Sequence, residues 1–206
     1  VPKLIWTKRL ESGDVITAQR WLNGRELKQN EMNEDQVARL LRKIHQSGPL
    51  LNMLKRLGKV PLKPEQFLDE TVVSMGKDTL SDTRVQKAFS YLRKMLQEVE
   101  FDEEVVCHCD LHHNNWLVTE DEQLFLIDWD GAMIADPAID LGMILYSYIP
   151  VENWGNWLSK YGTELTDSLK KRMQWYVVIQ CIQSIQWHKD KKRFSEMEGW
   201  FAYLER

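Results

Sequence analysis

The chain has 206 residues, 43% of them hydrophobic, and a formal net charge of −4. A chain of this size buries roughly 70% of its unfolded surface, so one core suffices without disulfide staples. The slight acid surplus argues against nucleic acid or an anionic membrane as the main partner, and no apolar run approaches the roughly 20 residues of a spanning helix.

Along the chain, Pro2–Leu10 and Asp14–Leu22 are rich in β-branched and aromatic residues and are separated by "ESGD", which predicts a β-hairpin. "NGREL" then breaks the strand. Asn33 is placed as a helix N-cap with Gln36 at the capping-box position. Val37, Leu40, Leu41 and Ile44 follow at helical spacing to about His45, and "SGP" at Ser47–Pro49 stops the run. Leu50–Asp82 is a mixed segment punctuated by Gly58, Pro61, Pro64 and Gly76. A helix is expected over about Asp82–Glu98, with Val85, Phe89 and Leu92 inward. After Phe101 come short strands at "VVC", "NWLVT" and "LFLIDW", and from Ala138 onward the pattern is helical. Cys107, Cys109 and Cys181 are an odd, sparse set, which predicts reduced thiols and a cytoplasmic setting.

The chemistry concentrates in "HCDLHHNNW", His108–Trp116. Asn115 lies five residues after Asp110, and Asp128 follows Asn115 by thirteen, at the far end of the expected hairpin. Folding that hairpin brings a carboxylate, an amide and a second carboxylate into one space. Such oxygen donors suit magnesium, which takes its remaining ligands from phosphate and water. The free carboxylate then accepts a hydroxyl proton as that oxygen attacks phosphorus. Two other readings fit the local letters. A zinc site at Cys107, His108, Cys109, His112 and His113 lacks a second, separated ligand pair. A Cys-His or His-Asp hydrolase lacks a marked nucleophile and oxyanion hole.

"HCDLHHNN" followed by "LIDWD" resembles the signature of the aminoglycoside phosphotransferase and choline kinase-like family. The likeness holds at His108, Asp110, Leu111, His112, Asn115, Ile127, Asp128, Trp129 and Asp130, and "DPAIDLG" at Asp136–Gly142 extends it. Within the family the likeness is greatest to the YtmP/CcrZ-type cell-cycle regulator kinases of Gram-positive bacteria, through "LIWTKRL", "AQRWLNG", "IHQSGPL" and "DWD".

The resemblance implies an α+β, protein-kinase-like two-lobed fold. A small β lobe, truncated at its N-terminus, and the hinge occupy residues 1–24. A mostly helical large lobe with a catalytic-loop β-hairpin occupies residues 25–206. It implies ATP and Mg2+ as cofactors and transfer of phosphate to a hydroxyl of an amino alcohol, sugar, nucleoside or thiamine-like acceptor. Asp110 is then the base, His108 its support, and Asn115, Asp128 and Asp130 the metal group. Asp140 braces the loop, and the Arg20 carbonyl and Leu22 amide receive adenine. On the long C-terminal helix, Trp175, Val178, Ile179, Ile182 and Ile185 form a core face. Tyr176, Gln180, Gln183 and Trp187 form a second stripe, read either as acceptor wall or as a plain polar face. A kinase-fold regulatory module with a cell-division protein partner is the alternative that the same resemblance carries. The family's glycine-containing phosphate turn and strand lysine have no counterpart before Val1, so the sequence is expected to lack roughly fifty residues of small lobe.

Overall fold

The computed structural model describes residues 4–12, 15–101 and 103–205. β1 (Leu4–Arg9) and β2 (Val15–Gln19) pair antiparallel as an isolated hairpin. Its apolar side chains meet solvent: Ile5, Trp6 and Ile16 are all exposed. β3 (Gly24–Glu26) falls inside "NGREL", where the sequence predicts only a break. It pairs with β5 (Trp116–Thr119), which pairs in turn with β6 (Leu124–Leu126). Gly24 is required there, because a Cβ would lie 2.4 Å from the Val118 carbonyl oxygen.

The first helix starts later than Asn33 predicts. Met32 is fully buried, and it anchors a 3-10 turn over Gln29–Asn33 whose Glu31 is gripped by both guanidinium nitrogens of Arg25. Glu34 is the N-cap, and α1 runs Asp35–His45. The run stops where "SGP" predicts, and Ser47 also begins the next helix: its Oγ accepts from Leu50 N, capping α2 (Gly48–Arg56), with Pro49 in the first turn. The mixed segment beyond resolves into α3 (Pro64–Ser74) and α4 (Lys77–Ser81). α5 (Thr83–Met95) is capped by the Asp82 carboxylate, and a 3-10 turn over Leu96–Glu98 completes the expected stretch.

β4 (Val105–Cys107) pairs antiparallel with β7 (Met133–Ala135), a strand the sequence reading omits. The helical remainder is α6 (Ala138–Tyr148), α7 (Trp154–Tyr161), α8 (Asp167–Asp190) and α9 (Phe194–Leu204). α8 packs on α3, α5, α6 and α9, with Trp175, Ile179, Ile182 and Ile185 fully buried. The indole N–H of Trp175 donates to the Leu92 carbonyl of α5 at 2.9 Å. One continuous apolar core extends from Leu27 to Phe201 and contains Leu111 and Trp116, from the segment that joins β4 to β5 and from β5 itself. Among the described residues, no helix is long and apolar enough to cross a membrane.

Candidate active site

The loop between β4 and β5 is held from behind by a single carboxylate. Asp140, on the first turn of α6, accepts the His108 and Cys109 amides, each at 2.8 Å, one on each oxygen. Gripped this way, Cys109 takes a left-handed backbone with φ 66°, where a β-carbon is strained. The turn exposes Asp110, the next residue, to solvent.

His108 ties this loop to the strand that leads to Asp128. Its Nδ1 faces the Asp110 amide at 3.3 Å, so Nδ1 accepts and Nε2 carries the proton. Nε2–H donates to the Ile127 carbonyl at 2.9 Å, and the Ile127 amide donates to the Asn115 carbonyl at 2.9 Å. Ile127 is thus clamped to both ends of the loop, and Asp128 is the next residue. Strand β6 ends at Leu126, short of the sequence expectation, and Asp128 has φ 61°.

Asn115 closes the constellation. Its Nδ2 donates to the Asp110 main-chain oxygen at 2.8 Å and to Asp110 Oδ2 at 2.9 Å. The amide oxygen is thereby turned away from Asp110 and takes no protein donor among the described residues. Asp128 and Asp130 are exposed, and neither carboxylate has a cationic or hydrogen-bonding partner among the described residues. One amide oxygen and two uncommitted carboxylates form a hard-oxygen donor set of the kind that fits magnesium.

The thiols offer nothing comparable. Burial, reinforced by Asp140, pushes Cys107 and Cys109 well above the ordinary thiol range, so both stay protonated. Among the described residues, one group of side chains lies within metal-binding reach: His45, Cys107 and Asp140. Each is already engaged. Cys107 Sγ donates to the Asp136 carbonyl, and His45 Nε2 lies 3.0 Å from Asp140 Oδ2. Cys107, His108 and Cys109 serve packing and loop support, and among the described residues no three of the side chains in the zinc reading lie within metal-binding reach of one another.

A cleft of about 230 Å³ opens beside the loop. Gln29, His112, Ser147, Tyr148, Gln180, Ser184, Trp200 and Tyr203 line it, with Met143, Val177 and Cys181 on its apolar side and no Asp or Glu. The Tyr148 hydroxyl accepts from the His113 amide at 3.2 Å, which fixes this wall to the catalytic loop. Burial, and then His112, lower the His113 pKa, so its ring stays neutral.

The helical stripe proposed for the acceptor is divided. Gln180 lines the cleft with its Nε2 buried and unpaired among the described residues. Tyr176 is 1% exposed and packs on Phe67 in the core, so it forms no acceptor wall. Gln183 donates to Thr71 Oγ1 of α3, and Trp187 stands half exposed beside His188. Those three positions follow the helix around, away from the cleft. The sequence reading missed Tyr148, Ser184 and Trp200, which come from three helices, and also His45. Only "IHQ" at the end of a helical run hinted at the last.

Arg20 and Leu22 lie in the segment between β2 and β3. Among the described residues neither takes part in a main-chain hydrogen bond of a turn, loop or cap.

The family model for phosphotransferase enzymes (APH) matches residues 1–176. The chain belongs to this phosphotransferase family. Solved structures agree in fold. The choline kinase LicA from Streptococcus pneumoniae superposes with a TM-score of 0.75 at 16% identity, covering 98% of this chain and 72% of that one. A choline/ethanolamine kinase family protein from Mesorhizobium loti gives 0.72 at 14%, covering 99% and 73%. APH(2")-IIia, in a complex with GDP and kanamycin, gives 0.74 at 14%, covering 99% and 74%. The expected kinase-like fold, with a helical large lobe and a small sheet region ahead of it, is the one observed.

Proposed function

We propose that this protein is an ATP-dependent kinase acting on a hydroxyl of an uncharged small molecule. The observation that carries the reading is the Asn115–Asp110 contact. A side-chain N–H fixes the orientation of an exposed carboxylate, and the same amide keeps its oxygen for a cation. In this reading Asp110 orients the acceptor hydroxyl and takes its proton as the oxygen attacks the γ-phosphorus in line. Asn115, Asp128 and Asp130 hold magnesium, which neutralises phosphate charge when bound. Adenine hydrogen-bonds to the Arg20 carbonyl and Leu22 amide. Complexes with AMP and with GDP among the structural neighbours support a nucleotide site.

The acceptor enters the cleft beside His112. Aromatic rings, hydroxyls and an amide with an unpaired N–H suit a sugar or nucleoside hydroxyl face. Without a lining carboxylate the cleft is poorly matched to a polycation such as kanamycin, the ligand of one neighbour. The test is a screen of the full-length gene product with Mg-ATP against amino alcohols, pentoses, nucleosides, thiamine and kanamycin, read by phosphorylated product. Transfer to the neutral hydroxyl compounds is expected. Magnesium-dependent nucleotide binding with no transfer to any acceptor would replace catalysis by the regulatory-module reading. The sequence likeness to cell-cycle regulator kinases, and any division-protein partner, belong with that outcome.

A further inference from the structure

His45 lies behind the catalytic loop. Its Nδ1 is 2.7 Å from the Tyr161 hydroxyl and its Nε2 is 3.0 Å from Asp140 Oδ2. A carboxylate oxygen accepts, so Nε2 carries the proton and Nδ1 accepts from the Tyr161 O–H. The chain of donors then runs from α7 through α1 to α6. It ends on Asp140, which holds the two amides that precede Asp110. The inner end of the relay is buried, with side-chain exposures of 1% for His45 and 0% for Asp140, and Tyr161 at the outer end is half-buried.

We propose that His45 is a positioning residue for phosphoryl transfer, acting through Asp140 on the pose of Asp110. A carboxylate holding two peptide N–H groups at once must keep one plane. The peptide unit between His108 and Cys109 follows that plane, and so does the left-handed turn that presents Asp110. The imidazole adds a third hold on the carboxylate, on the Oδ2 that also accepts the His108 amide, and Tyr161 fixes the imidazole through its tautomer. A displacement of about 1 Å in a reacting group is enough to cost on the order of 10²-fold in rate. His45 is therefore a control on turnover that never meets nucleotide or acceptor.

The inference rests on the kinase reading above, and the experiment separates the two. Two substitutions share one chemical group and differ by one methylene of reach. His45→Gln places an N–H where Nε2 stood. His45→Asn reaches only the Nδ1 position, next to Tyr161. Both are made in the full-length gene product. Melting temperature, hydrogen exchange of the His108 and Cys109 amides, and the rate and KM for Mg-ATP with the acceptor from the screen are then measured.

The expected result is that His45→Asn loses on the order of 10²-fold in kcat with KM for ATP within a few-fold, and that its two amides exchange faster. His45→Gln keeps amide protection and recovers most of the rate. Equal rates and equal protection in the two variants would overturn the proposal, as would wild-type kcat in His45→Asn. Should the wild type transfer no phosphate, the kinase reading fails by itself. The amide exchange then decides alone: protection lost in Asn and kept in Gln supports the hold on the loop, and protection kept in both defeats it.

Discussion

In the proposed mechanism Asp110 is the proton acceptor, an exposed carboxylate oriented by Asn115 and preceded by the two amides that Asp140 holds. Replacing Asp110 by Asn leaves those supports in place and removes the proton acceptor. Turnover is expected to fall by about 10²–10⁴-fold, with little change in melting temperature because the side chain contributes no core contact. Steady-state kinetics beside a thermal melt checks both halves. Cys109 is a different case. It occupies a left-handed backbone position, where a β-carbon costs about 1–2 kcal/mol. Cys109→Gly removes that cost but loosens the unfolded chain, which returns part of the gain. It also gives up the thiol's packing against the core, so the opposing effects nearly cancel and the melting temperature is expected to stay within about 2 °C of the parent. Cys107 already donates to the Asp136 carbonyl and His45 is bound to Asp140, so purified protein is expected to carry no stoichiometric zinc by elemental analysis. Tightly held zinc lost on substituting Cys107 would reverse the account of this loop. The meeting of Asp110 with Asn115 was legible in the sequence, because the two lie five residues apart in a loop that enters a hairpin. His45 was not, because its meaning lies in a contact with a residue 95 positions away.

Elements repeat the lesson in another form. The long helices announced themselves by period, and α8 keeps the inward face its sequence suggests. The strands β3 and β7 span three residues each, too short for any alternation to register. Their partners make them strands: Val118 for Gly24–Glu26 and Val106 for Met133–Ala135. The start of α1 was misplaced for a related reason. Asn33 and Gln36 fit a local capping rule, but buried Met32 and the Arg25–Glu31 pair hold the preceding turn. The Arg25 guanidinium, then the Lys28 amide, lower the Glu31 carboxyl from 4.5 to about 2. A depressed carboxyl contributes stability that is complete above its unfolded value and is lost as pH falls through the folded one. The pair therefore supports the β3-to-α1 junction at neutral pH and weakens between about pH 4.5 and 2. Glu31→Gln is expected to be less stable than the parent at pH 7 and to converge with it by pH 2. Parallel denaturations across that window test the convergence.

Across the whole molecule, burial is uneven. One apolar core joins Leu27 to Phe201, and α8 reaches four other helices within it. The β1–β2 hairpin stands outside that core, with Trp6 and Ile16 exposed, and its pairing is confined to two strands. Two-stranded hairpins are marginal by themselves in water. Amides of Ile16 and Thr17 are expected to exchange by local opening, well ahead of Ile179 and Ile182 on α8, in a native-state hydrogen-exchange series. Comparable protection in both regions would mean that the hairpin is stabilised by something beyond its own ladder.

The grip of Asp140 on the loop has a consequence for the loop's sequence. It holds peptide nitrogens, and every residue except proline has one. The grip itself therefore places no chemical demand on the side chain at 109, whose thiol is left to pack against the core. A loop held at its peptide nitrogens asks little of its own side chains, and the fold around it recurs in solved structures that share only 14–16% of this sequence.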